Sequence, residues 1–85
     1  MTDTHHENSL VGAFMAQRKN SLVILEQYNF GVYALYFEDS DDGIMTRDDL
    51  HDTIDDAKEF CREDYGMVEE DWERIPDHTP IMVTF

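Results

Sequence analysis

Ser21-Leu22-Val23-Ile24-Leu25-Glu26-Gln27-Tyr28-Asn29-Phe30-Gly31-Val32-Tyr33-Ala34-Leu35-Tyr36-Phe37-Glu38 is the stretch that decides the fold. Residues 21–28 and 32–38 are two runs rich in β-branched and aromatic side chains, which suit a pleated, packed surface. Between them, Asn29 and Gly31 tolerate positive φ, so the chain can reverse there. The pattern predicts an antiparallel β-hairpin. On the second strand, Tyr33, Leu35 and Phe37 share one face and Val32, Ala34 and Tyr36 the other. Both faces are apolar and need at least partial cover. Helix packing would cover one, leaving the second as a candidate interaction surface.

Moving toward the C-terminus, Asp39-Ser40-Asp41-Asp42-Gly43 has turn composition. A long amphipathic helix is expected to follow and to run to about Tyr65. Leu50, Ile54, Ala57, Cys61 and Tyr65 recur at intervals of four, three, four and four and make one apolar stripe. Thr46-Arg47-Asp48-Asp49 and Thr53-Ile54-Asp55-Asp56 are alternative capping boxes, with Asp in place of Glu. Gly66 is placed to end the helix. Val68, Trp72 and Ile75 repeat at helical spacing behind Glu69-Glu70-Asp71, and Pro76 stops that turn. Residues 80–85 supply either a third, edge strand or an apolar tail seeking a partner.

Toward the N-terminus, Leu10, Val11, Phe14 and Met15 predict a short helix over residues 9–19, with a strand as the alternative because Gly12 weakens it. Residues 1–8 are polar and read as a flexible tail. His5 and His6 could hold a transition metal loosely, but a solvated tail is the simpler reading. The expectation is a single α+β domain over residues 9–85, with a modest core. The ten aromatic residues and 41% apolar content argue against disorder.

Charge is the strongest functional clue. Seventeen of the twenty acidic residues lie at positions 38–77, against four basic ones, within a chain of formal net charge −14. Such a field attracts cationic partners and repels nucleic acid, anionic membranes and further copies of the chain. Asp48, Asp52, Asp55, Asp56, Glu59 and Glu63 would fall on one broad face of the expected helix. Charge runs are most often solvated faces, yet like charges at i and i+4 cost stability, and lysines would relieve them. Glu69, Glu70 and Asp71 extend the acidic patch. Trp72 would be its aromatic anchor, or a core residue pinning the segment after the helix. Helix carboxylates four residues apart stand about 6 Å from one another, close enough to phosphate spacing to allow nucleic-acid mimicry.

A calcium loop is the rival reading of residues 38–49. It puts Gly43 at the sixth position, Ser40 and Asp42 at the third and fifth, and Asp49 at the twelfth. Glu at the first position, Asp at the twelfth and an entering strand all depart from the motif. No metal or other cofactor is expected. Catalysis has little support either. Cys61 lies on the apolar stripe, where a buried inert thiol is expected, and His51 with its neighbouring acids lacks a nucleophile. A single cysteine excludes an internal disulfide. No apolar run approaches the ~20 residues that span a bilayer, and the N-terminus lacks a secretory pattern. A cytoplasmic location is expected.

An aromatic hairpin, then Asp52-Thr53-Ile54-Asp55-Asp56-Ala57-Lys58, then Tyr65-Gly66 and Trp72, resembles small acidic bacterial proteins of immunity or inhibitor type. The likeness covers residues 22–75. Such proteins are often encoded beside polymorphic toxins or carried by mobile elements. The resemblance implies a single-domain inhibitor that occludes a partner; it assigns no residue. The expectation is therefore a non-enzymatic acidic protein that binds a basic partner, such as a nuclease toxin or a nucleic-acid-binding protein. A self-associating protein using the apolar hairpin and tail is the alternative, and a calcium-binding module the third reading.

Overall fold

The computed structural model describes residues 10–39 and 43–79. Among the described residues, five strands form one antiparallel sheet: β1 (Leu10–Arg18), β2 (Ser21–Tyr28), β3 (Gly31–Phe37), β4 (Arg47–His51) and β5 (Glu73–Arg74), in the spatial order β4-β3-β2-β1-β5. One helix, α1 (Ile54–Tyr65), packs across one face, and a 3-10 turn (Glu69–Asp71) leads into β5. The fold is α+β, with the expected hairpin as β2 and β3 at its centre. Their register, from Leu22 opposite Phe37 to Tyr28 opposite Gly31, leaves Asn29 and Phe30 as the turn.

Two expectations are corrected. Residues 10–18 are a strand, not a helix. They pair with β2, and Val11 is the extra residue of a bulge, because the register jumps from Leu10 opposite Tyr28 to Gly12 opposite Gln27. The helix also starts later than expected. Arg47–His51, read as its first turns, form β4 along β3, and Thr53 is the N-cap, its Oγ1 accepting from Asp56 N at 3.1 Å. Of the two candidate caps, the one at Thr53 is used. The helix ends at Gly66 in the left-handed region (φ 72°), where the Gly66 and Met67 N–H groups donate back to Arg62 and Cys61 carbonyls. The expected C-terminal strand (80–85) and flexible tail (1–8) lie outside the described residues.

The core sits between α1 and the sheet. Ala16, Val23, Leu25, Val32, Ala34 and Tyr36 on the strands meet Ala57 and Cys61 of the helix and Met67 after it, with Phe14, Ile54, Phe60, Tyr65 and Trp72 packed around them. Each large side chain here contributes about 1.5–3 kcal/mol by leaving water. The opposite face carries Ala13, Met15, Leu22, Ile24, Glu26, Tyr28, Tyr33, Leu35 and Phe37, as the pairing register and strand alternation require. Leu35 and Glu26 are wholly buried there, whereas Met15, Ile24, Tyr33 and Phe37 are half-buried.

Candidate acidic interaction surface

The helix builds this surface by turning Ala57 and Cys61 inward and leaving Asp55, Asp56, Glu59, Arg62 and Glu63 exposed. Asp55 and Asp56 lie in the first turn and Arg62 in the last, where the helix dipole favours each sign. Asp52 is exposed just before the cap. Asp55, Asp56, Glu59 and Glu63 are thus brought together on the outer side of α1, with Asp52 exposed in the chain just ahead of them. Asp48 is not part of this row. It stands on β4 opposite Leu35, on the side of the sheet away from α1.

What distinguishes the row is where the nearby cations go. Lys58 Nζ lies 3.1 Å from Glu69 in the 3-10 turn, and 5.7 and 6.0 Å from the centres of the Phe14 and Trp72 rings. Its side chain leans over aromatic surface instead of lying along the acidic row. Arg47 of β4 pairs with Asp64 at 3.3 Å, and its guanidinium sits 4.5 Å from the Tyr36 ring centre and 5.3 Å from that of Phe60. Arg18 of β1 pairs with Asp71 at 2.9 Å, and the same Asp71 oxygen accepts from Val68 N at 2.9 Å. Three cations therefore hold elements together, and Arg62 is left as the one base exposed on the outer side of α1.

The turn residues divide. Glu69 and Asp71 are tied to Lys58 and Arg18, while Glu70 is exposed. Trp72 is half-buried against the core, next to Lys58, so it serves as a packing residue and not as an exposed anchor.

Two clusters were not expected from sequence. Tyr36 stacks on Tyr65 at 5.5 Å and meets Phe60 edge-on at 5.9 Å, and its hydroxyl is 3.5 Å from His51 Nε2. The Tyr65 hydroxyl donates to Glu38 at 2.9 Å. Burial, and then its bond to Glu38, push the Tyr65 hydroxyl up to about 12. Burial, and then the Cys61 and Asp49 charges, push the Tyr36 hydroxyl up as well. The second cluster is on the other face, where fully buried Glu26 accepts from Tyr28 Oη at 2.9 Å and lies 2.7 Å from His78 Nε2. A lone acid in an otherwise apolar alternation (Leu22, Ile24, Glu26, Tyr28) was the available signal.

The chemistry these groups offer is limited. Cys61 is fully buried, and burial followed by the Asp64 charge pushes its thiol up to about 12, far from nucleophilic thiolate. Among the described residues, no group of three His, Cys, Asp or Glu side chains is placed to hold a metal ion. The calcium-loop reading spans residues 40–42, which lie outside the described residues; its exit position, Asp49, is in β4, where the motif needs a helix. No helix among the described residues is long and apolar enough to cross a membrane. No protein-family model matches this sequence, and comparison with curated proteins and with solved structures finds no match.

Proposed function

We propose that this is a non-enzymatic, cytoplasmic binding protein whose acidic helix engages a basic protein surface, in the manner of an inhibitor or immunity protein. One observation carries the reading. Lys58, Arg47 and Arg18 are drawn into ion pairs beside the helix, which leaves Arg62, among the described residues, as the one base exposed on α1 beside Asp55, Asp56, Glu59 and Glu63, with Asp52 just ahead of them. Uncompensated like charges along a helix are unfavourable in the free protein, and a cationic partner relieves them. Such docking raises the association rate and screens with salt. A basic nuclease or nucleic-acid-binding protein has the required charge. The departure of Asp48 from the row shortens any phosphate-like array, so occlusion of a basic cleft fits better than mimicry of a long duplex. Direct binding of nucleic acid or anionic lipid runs against the same field.

The test is capture from the source cell on immobilised protein, eluted by salt. Asp55→Lys with Glu59→Lys, both exposed and outside the core, should lose the captured partner by at least about tenfold while the fold stays intact. Unchanged capture by that double variant rejects the acidic helix as the contact surface.

The half-buried Met15, Ile24, Tyr33 and Phe37 favour a second reading, self-association through the sheet face away from α1. Sedimentation separates the two. Carboxylate docking weakens as salt rises, whereas apolar self-association holds or strengthens because screening removes the repulsion between copies.

A further inference from the structure

We propose that the outer edge of β4 is a docking site for an extended basic segment of the partner protein, which adds to the sheet as a sixth strand. This rests on the reading of the protein as an acceptor of basic partners, and it names how part of that partner is held. The two edges of the sheet differ. β5 is two residues long and is followed by Ile75, whose N–H donates to Ala13 O at 2.8 Å, and then by Pro76. A short strand ended by proline is a blunted edge. β4 has five residues, Arg47-Asp48-Asp49-Leu50-His51, with no proline or glycine. It pairs with β3 on one side, and among the described residues no strand pairs with the other. Alternate N–H and C=O groups of an antiparallel edge strand point outward, ready for another strand.

The side chains on this segment set what that strand can be. A basic side chain is the usual guard of an open edge, but Arg47 is turned onto Tyr36, Phe60 and Asp64. Ile44, Met45 and Leu50, at 63%, 38% and 56% exposure, place three large apolar side chains in water along seven residues. Asp48 and Asp52 are exposed beside them. Acids on the edge repel a second copy of this chain, which brings the same acids, and attract a strand carrying lysine or arginine. Apolar residues on that strand would cover Leu50 and Met45, and cationic ones would meet Asp48. Among the described residues, the edge is thus guarded against itself and open to a cation-rich partner.

The test uses the full chain, isotopically labelled, at low salt. The probe is a short capped peptide in which lysine and valine take turns along one face and threonine fills the other, since Asp48 and Leu50 share one face of β4; it is compared with the same peptide N-methylated at alternate backbone nitrogens. Both carry the same charge and side chains; the second cannot pair fully with an edge. The expected result is slowed amide exchange across Arg47–His51 with the first peptide and binding at least about tenfold weaker with the second. Leu50→Lys, at an exposed position, should weaken the first peptide by a similar factor. Equal binding of both peptides, with shifts along Asp55–Glu63 and none on β4, overturns the edge site and leaves the acidic-helix reading standing. Binding of neither peptide overturns both. Protection of β4 that grows with protein concentration alone assigns the edge to a second copy and likewise overturns the proposal.

Discussion

Glu26 shows at the level of a single side chain how this acidic molecule handles a charge that cannot reach water. It is the one charged residue wholly buried among the described residues, and Tyr28 and His78 meet its two oxygens at 2.9 and 2.7 Å. Removing one partner of such a group costs more than replacing the group altogether, because a buried polar atom loses its hydrogen bond without regaining water. His78→Ala should therefore lower stability to urea by about 1–3 kcal/mol. Glu26→Leu combined with His78→Leu should recover part of that loss. A double variant less stable than His78→Ala alone would show that the acid has value of its own. The raised Cys61 and Tyr65 groups set a different response. The folded chain keeps protons that the unfolded chain releases at ordinary values of 9.0 and 10.0, so the unfolded state binds fewer protons as alkali is added. Stability should thus fall from about pH 9 and continue falling to about 12. Urea midpoints measured across that range check the sign, and a rising midpoint contradicts it. In the folded protein at neutral pH, Cys61 should react with a thiol reagent only as fast as the core opens.

Among the elements, the central hairpin and α1 were legible and the outer strands were not, for distinct reasons. β2 and β3 carry dense β-branched and aromatic runs with a two-residue turn, a local signal that needs no partner. The stripe Ile54, Ala57, Cys61, Tyr65, the Thr53 cap and Gly66 likewise define α1 from within. β1 misleads because Phe14 and Ala16 face α1 while Ala13 and Met15 face the other side. Both sets are apolar, so the alternation that marks a strand is lost, and the bulge at Val11 breaks what remains. β4 misleads because its residues are polar and become a strand only by pairing with β3, while Thr46-Arg47-Asp48-Asp49 imitates a helix cap. β5 is two residues with no local signal at all. The acidic site inherits these limits: four of its carboxylates follow from α1, while the diversion of Lys58 to Glu69 depends on how the turn expected at Glu69–Asp71 sits against the helix, which spacing along the chain does not give. Gly31 tests the β3–β4 contact directly. At φ 154°, a Cβ there would stand 2.9 Å from the His51 carbonyl oxygen and 3.2 Å from Leu50 Cδ1. Gly31→Ala should cost about 1–3 kcal/mol and loosen β4 from the sheet. Thr53→Ala should cost about 1 kcal/mol and act on α1 alone. Amide exchange resolved by residue distinguishes them; identical exchange patterns would contradict this separation.

For the whole molecule, a formal charge of −14 on 85 residues sets the dependence on solvent. Self-repulsion opposes compaction, and salt screens it. Adding salt at neutral pH should raise the thermal midpoint by several degrees, where about 4–8 °C corresponds to 1 kcal/mol in a domain of this size. A midpoint that falls with salt would mean that the Arg18–Asp71, Arg47–Asp64 and Lys58–Glu69 pairs outweigh the repulsion. The topology also has a temporal side. β1 is the earliest of the five described strands to be synthesised, yet the strand on its outer flank, where Phe14 stands opposite Arg74, is the latest of them. While the ribosome is still translating, the early hairpins can zip together by short loops, but the flank of β1 stays bare until Glu73 and Arg74 emerge. Nascent chains stalled before that point carry an unclosed apolar ribbon, and it is there that chaperones or neighbouring nascent chains would find purchase.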